Sequence, residues 1–317
     1  MTKIIQVRCP AKLNLFLEVL GRRPDGYHEL STVMAPVSIY DTLTVREAKR
    51  FTLEVDGPPL PGTNTVEKAW RAVAKRRKIP GVRASLVKGI PAGSGMGGGS
   101  SDAAAMIEAL DLLFDLGLDR HEIAAEIGSD VNFFLERGPA LCTGRGEKVA
   151  PIASGPELHA VIYWPGFSLS TAAVYARVRD FLTRSPRIVI DFLNSFGREG
   201  PEGLGRVLFN RLELAAFALH PELSALRRRL AELLPGGARM TGSGSALYGL
   251  CATSAEARRL ATRVRGEFAG FVAPAGVMTR EAAWRSRKSG SSSSAAGATS
   301  SARSAPSPST TPSSSAT

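Results

Sequence analysis

The sequence predicts an α+β protein of two lobes, and three observations carry that expectation. The chain has 317 residues, 44% of them hydrophobic, enough for two packed cores at the usual ~100 to 200 residues per domain. A glycine-rich stretch, Gly93 to Gly99, stands between a strand-like and a helix-like segment in the first half. A second small-residue loop, Gly242-Ser-Gly244, follows a helical pattern in the second half. The expected divisions are a first lobe over residues 1–155, a smaller α+β lobe over 156–283 and a tail over 284–317.

Taken in order, Cys9 to Leu20 alternates so that Lys12 and Asn14 point to one face and Leu13, Leu15 and Leu17 to the other. Two polar groups presented side by side suit a site; a solvated strand face reads equally well from this segment alone. Gly21 to Gly26 is a turn by composition and delivers Tyr27 and His28. An aromatic and an imidazole there suit a base or ring, or ordinary packing. Val66, Ala69, Trp70 and Val73 form one helical face, with Asn64 and Glu67 as a capping box at its start.

Ala84 to Ile90 reads as a strand, and Ser101 to Leu116 as a helix whose apolar face is Met106, Ile107, Leu110, Leu113 and Phe114. Ser100 or Ser101 is the expected N-cap, Asp102 falls in the first turn, and Gly117 ends the helix. A helix framed by Asp119 and Gly128 follows, then Ser129 to Leu135, in which Asp130 is an acid set against an apolar run. Desolvation beside a cation would make Asp130 a usable base; capping the next element is the plainer role. Gly144-Arg-Gly-Glu147 is a polar turn, and the helix over Pro221 to Leu234 leads through the 240–246 loop into a strand.

The chemistry centres on Pro91, Ala92, Gly93, Ser94, Gly95, Met96, Gly97, Gly98, Gly99, Ser100 and Ser101. A helix N-terminus offers unpaired N–H donors and about half a positive charge, and glycines let a phosphate approach the backbone without meeting a Cβ. Phosphate binding is the leading reading over a flexible linker. The P-loop pattern is excluded, because Gly99 is followed by Ser100 and no lysine. A dinucleotide fingerprint matches at Gly93, Gly95 and Gly98, but the acid that should close a second strand is missing: Asp115 ends a helix.

The net charge is +11, and Arg285, Arg287, Lys288 and Arg303 of the tail account for four of it, leaving +7 for the lobes. That excess suits anionic ligands. The basic runs Lys75 to Lys78 and Arg227 to Arg229 end or cross amphipathic helices without interleaved aromatics, which disfavours nucleic acid. Cys9, Cys142 and Cys251 are too few and scattered for a disulfide frame or metal knuckle. With no apolar stretch near the roughly 20 residues that span a bilayer and no signal-like start, a cytoplasmic protein without membrane contact is expected. The tail, poor in apolar residues, is expected to be disordered.

Lys12 with Asn14, the loop over 91–102 and Thr241-Gly-Ser-Gly244 resemble, in order and spacing, the three motifs of the GHMP small-molecule kinases. Within that superfamily, Ala11 to Leu17, Arg23 to Leu30, Gly97 to Asp102 and Ser129-Asp-Val131 are similar to the branch that phosphorylates the 2-hydroxyl of 4-diphosphocytidyl-2-C-methylerythritol in the non-mevalonate route to isoprenoids. The resemblance implies a two-lobed kinase fold, ATP on the 91–101 loop and magnesium with unspecified ligands. It implies Asp130 as acceptor of the hydroxyl proton, Lys12 as its partner, and Asn14, Tyr27, His28, Thr171 and Tyr175 as contacts of a small-molecule substrate. Tyr27 and Tyr175 would then flank the cytosine. The chain departs from the family pattern at Met96, at Asn132, where proline is usual and whose absence is expected to loosen the Asp130 segment, and at Ala172. The competing expectations are a non-catalytic nucleotide-binding regulator on the same fold, a kinase for another small alcohol, and a dinucleotide oxidoreductase.

Overall fold

A computed structural model describes residues 3–57, 62–136, 138–153, 155–182, 187–279 and 287–289. Its backbone is organised by one long hairpin. β1 (Ile4–Arg22) and β2 (His28–Ala48) pair antiparallel from Ile4↔Arg46 to Arg22↔His28, with register shifts at Pro10/Ala11, Asn14/Phe16 and Val19/Gly21. Such irregularities bend and twist a strand. The expected two-faced alternation is absent: Ala11 through Val19 are all buried, because this part of β1 has a core on each side. Lys12 and Asn14 therefore do not lie on a solvated face.

After β2 come β3 (Thr52–Asp56), α1 (Thr65–Arg76), β4 (Gly81–Val87), α2 (Gly98–Phe114), α3 (Arg120–Ile127), α4 (Val131–Leu135), β5 (Ala140–Gly144) and β6 (Lys148–Pro151). β4 pairs with β2 and β3, and β5 with β2 and β6. The Asn64 side chain caps α1 by accepting from Val66 N–H, while Glu67 pairs with Arg71. Val66, Ala69 and Val73 of α1 and Met106, Ile107 and Leu110 of α2 pack with Phe133 and Phe134 on this part of the sheet.

The second half runs β7 (Leu158–Trp164), α5 (Thr171–Val178), α6 (Val189–Phe196), α7 (Pro201–Val207), β8 (Phe209–Asn210), α8 (Leu212–Leu219), α9 (Pro221–Leu233), β9 (Arg239–Met240), β10 (Leu247–Cys251), α10 (Ser254–Glu267) and β11 (Phe271–Val277). The 240–246 segment links β9 to β10 as a hairpin, since Arg239 and Met240 pair with Tyr248 and Leu247, and is not a helix-to-strand turn. The sheet order β1-β2-β11-β7-β10-β9 joins the halves at Val277↔Val37. A central core stands across that junction, with Leu13, Leu15, Phe16 and Val33 against Leu158, Ile162, Phe192 and Tyr248. Glu18, buried in β1, receives Arg211 through two hydrogen bonds of 2.7 and 2.8 Å.

The expected tail lies outside the described residues except for β12 (Arg287–Ser289), whose backbone pairs antiparallel with Ile4 to Gln6. That short strand departs from the expectation of disorder over the whole of 284–317; the start of β1 offers it the unpaired backbone groups of a sheet edge.

Candidate active site

β4 stops at Val87, three residues short of the expected strand end, because Asp41 draws the chain out of the sheet: its Oδ1 accepts the N–H groups of Gly89 and Ile90 at 2.7 and 2.8 Å. α2 starts earlier than expected. Gly97 is its N-cap at φ 74°, no side chain caps it, and Gly98, Gly99 and Ser100 form the first turn. Neither Ser100 nor Ser101 is the cap, and Asp102 lies a turn further in. Only the left-handed conformation of Gly97 lets the chain turn here while a Cβ would press on Phe134 and Lys12 at 3.0 and 3.1 Å. The uncapped first turn leaves backbone donors without a side-chain partner, the arrangement that accepts an anion. At the other end, Asp115 takes the left-handed cap position at φ 53° ahead of Gly117.

The first turn opens onto a cavity of about 1170 Å³, above the roughly 300 to 1,000 Å³ of a single-ligand pocket. Of the loop residues, Pro91, Ala92, Gly93, Ser94, Gly95, Gly97, Gly98, Gly99 and Ser100 line it; Met96 and Ser101 are buried beneath and do not. Met96 serves instead as core, and its carbonyl accepts Lys12 N–H at 2.9 Å.

The loop is clamped between the halves. Ala246 N–H donates to Ser94 O at 2.9 Å, and a Cβ at Gly95, φ 81°, would stand 2.9 Å from Gly244 O. Asn14 completes the clamp: its Oδ1 accepts from Gly242 N–H at 2.8 Å, Thr241 Oγ1 at 3.2 Å and Lys12 Nζ at 2.5 Å, while its Nδ2 donates to Thr32 Oγ1. Lys12 Nζ also faces Asp130 Oδ2 at 3.7 Å. The ammonium is buried and the carboxylate one-third exposed to the cavity. Burial pulls the Lys12 amine below its usual value, and Asp130 opposes that shift.

Asp130 immediately precedes α4, whose Val131, Phe133 and Phe134 anchor it in the first core. The expected loosening by Asn132 is not seen: Asn132 Nδ2 donates to Glu147 O at 3.0 Å and ties this segment to the 144–147 turn. The same turn sets Gly146 under Asp130 and carries Arg145 to 4.8 Å from the Tyr27 ring centroid.

At the far end, Tyr27 is 53% exposed, and the His28 and Tyr175 rings lie 5.1 Å apart. Burial, with Arg22 nearby, lowers the His28 imidazole below its usual value, and burial followed by Asp130 raises the Tyr175 phenol. Thr171 Oγ1 meets Ser243 Oγ at 2.9 Å, joining α5 to the 241–246 loop. Every expected site residue except Met96 and Ser101 thus lines one cavity. Sequence reasoning missed Thr63, Asn64, Thr65 and Lys88 at the loop end and Arg22, Arg145 and Arg179 at the other. Asn64 had been noticed only as a cap and Arg145 only in a polar turn; Arg179 carried no signal.

A glycine-lined helix start facing a Lys–Asp pair, closed by a small-residue loop from the second half, defines a small-molecule kinase of the GHMP class. Residues 64–138 match the GHMP kinases N terminal domain, and residues 192–270 the GHMP kinases C terminal family. The chain belongs to the 4-diphosphocytidyl-2-C-methyl-D-erythritol kinase family. It is 39% identical over 259 residues to the enzyme of that name from Carboxydothermus hydrogenoformans, covering 79% of this chain and 90% of the relative, and 39% identical over 284 residues to that of Mycolicibacterium gilvum, covering 84% and 87%. A crystal structure of 4-(cytidine 5'-diphospho)-2C-methyl-D-erythritol kinase superposes with a TM-score of 0.73 at 38% identity, covering 86% of this chain and 99% of the other. The homoserine kinase of Cytophaga hutchinsonii, 16% identical with a TM-score of 0.67 over 90% and 97% of the two chains, shares the fold.

Proposed function

We propose that this protein transfers the γ-phosphoryl group of ATP to the 2-hydroxyl of 4-diphosphocytidyl-2-C-methyl-D-erythritol. The observation that carries the reading is Lys12 Nζ facing Asp130 Oδ2 at 3.7 Å in a cavity lined by both the 91–100 backbone and the Tyr27, His28 and Tyr175 rings. Asp130 accepts the hydroxyl proton as the oxygen attacks. Lys12 pairs with Asp130 and offsets negative charge on the moving group; positioning and charge stabilisation do most of the work in phosphoryl transfer. Asn14 acts chiefly by holding Lys12 and the 241–246 loop. Tyr27, His28, Thr171 and Tyr175 hold the alcohol, and Arg22, Arg145 and Arg179 give its diphosphate a cationic wall.

Asp130 is the one carboxylate among the described residues lining the cavity, and no cluster of three or more His, Cys, Asp or Glu side chains suited to a metal occurs among the described residues. That donor set fits magnesium carried on nucleotide phosphates, since Mg²⁺ commonly takes one or two carboxylates with substrate phosphates. When bound, the ion would neutralise charge on the transferred group, with Asp130 beside it. We place the division between lobes at 155/156. A cytoplasmic setting is supported by three free buried cysteines and by the lack of a helix, among the described residues, long and apolar enough to cross a membrane.

A coupled ADP-release assay with ATP and magnesium tests the reading, with 4-diphosphocytidyl-2-C-methyl-D-erythritol run beside mevalonate, homoserine and galactose. Turnover with the cytidylyl alcohol alone is expected. Turnover with another of these alcohols would replace the substrate, and none with any would remove the kinase assignment.

A further inference from the structure

Beneath the phosphate loop lies a buried charged cluster that the transfer step does not use. Lys88 Nζ donates to Asp102 Oδ2 at 2.7 Å and to Asp41 Oδ2. The two carboxylates are 0% and 1% exposed and the lysine side chain 5%. Asp41 Oδ1 holds Gly89 and Ile90, on which the chain leaves β4. A Cβ at Gly98, the first residue of α2, would stand 3.2 Å from Asp41 Oδ2. Asp102 sits one turn further along the same helix. One ammonium thus joins the residue before the loop to a residue after it, and Asp41 steadies both ends from β2.

We propose that Lys88 is a positioning residue for the nucleotide: bound at once to Asp41 and Asp102, it fixes the span of the phosphate loop and so the aim of the Gly97–Ser100 donors. This rests on the loop being the nucleotide site. A buried pair of carboxylates sharing one cation is costly unless each oxygen has a partner. Both Asp41 oxygens are engaged, whereas Asp102 Oδ1 has no hydrogen-bond partner among the described residues. Of the two carboxylates, Asp102 is therefore the one whose charged form is disfavoured. Burial raises its carboxyl to about 7, with Lys88 opposing and Asp41 adding to the shift. Cys9, from β1, is the remaining titratable group facing it, and burial together with the two carboxylates keeps its thiol protonated.

The sign of the pH effect follows. Nucleotide phosphates at the start of α2 add negative charge above Asp102 and favour its protonated form, so affinity is greatest below pH 7 and declines as pH rises to 8.

The test measures ADP binding, with magnesium, by calorimetry between pH 6 and 8, alongside the KM of each substrate. Lys88→Met is expected to raise the ATP KM tenfold or more and leave the alcohol KM within about twofold. Asp41→Asn is expected to do the same although its side chain cannot reach the cavity, which separates positioning from direct contact. Asp102→Asn is expected to flatten the pH dependence of ADP affinity relative to the wild type, and Lys88→Arg to recover most of the ATP KM. Should Lys88→Met not fold, Asp41→Asn and Asp102→Asn carry the same two readouts. Equal rises in both KM values, or an unchanged ATP KM in Lys88→Met and Asp41→Asn, would overturn the proposal, as would an unaltered pH profile in Asp102→Asn. Failure of the wild type to bind ADP at all would instead overturn the nucleotide site.

Discussion

The two ends of the cavity are built from different materials. At the end proposed for the nucleotide, the cavity lining is largely backbone, from Gly93 to Ser100, held by buried ties to Asp41, Met96 and the 241–246 loop. At the end proposed for the alcohol it is side chain: Tyr27 from the β1–β2 turn and His28 at the start of β2, Arg145 from the β5–β6 turn, Thr171 and Tyr175 from α5. A backbone surface recognises any phosphate, and its shape depends on packing beneath it. A side-chain surface can be altered one contact at a time, which suits the selection of one alcohol among many.

Asp130 lies between the two ends and offers the sharpest test of their independence. Asp130→Ala is expected to lower kcat by about 100-fold or more and to leave ADP affinity within about twofold by calorimetry. A parallel loss of ADP affinity would show that the ends are not separable.

Much of the nucleotide end was legible because its demands are local. A run of glycines between strand and helix is required wherever backbone must meet phosphate, whatever the rest of the chain does. The start of α2 differs from expectation for the same reason: capping rules assume that a protein satisfies its own helix donors, and here Gly97 leaves them uncapped. Lys88 was passed over because its partners are 47 and 14 residues away in the chain. Asn14 was readable as a site residue, but its role as a clamp depends on Gly242, 228 residues distant. The alcohol end was legible only where contiguous residues carried a family pattern, as Tyr27 and His28 did. Arg179, an exposed cation just past α5, looks like any solvated arginine.

The glycines sharpen the comparison further. Gly95 and Gly26 have similar backbone angles, φ 81° and 85°, but Gly95 is walled in by the 241–246 loop and Gly26 has nothing within 4 Å. Left-handed strain alone costs about 1 to 2 kcal/mol, so Gly26→Ala is expected to lose about 1 kcal/mol in urea unfolding. Gly95→Ala adds a clash with backbone from the other half and is expected to lose about 3 kcal/mol or more. Equal losses would mean that the loop is not clamped. The smallest effect belongs to the exposed aromatic. Tyr27→Ala is expected to raise the alcohol KM about tenfold, on the order of 1.4 kcal/mol, with the ATP KM unchanged in steady-state assays.

The hairpin that organises the fold also constrains how the protein moves. Closing the cavity by swinging one half against the other would pull Leu13, Leu15 and Phe16 away from Leu158, Ile162 and Tyr248 and break the Glu18–Arg211 pair. The molecule has fixed jaws. The expected route for ligand entry is therefore by small excursions of the 22–27 turn and the β5–β6 turn, on the nanosecond to microsecond scale of loops.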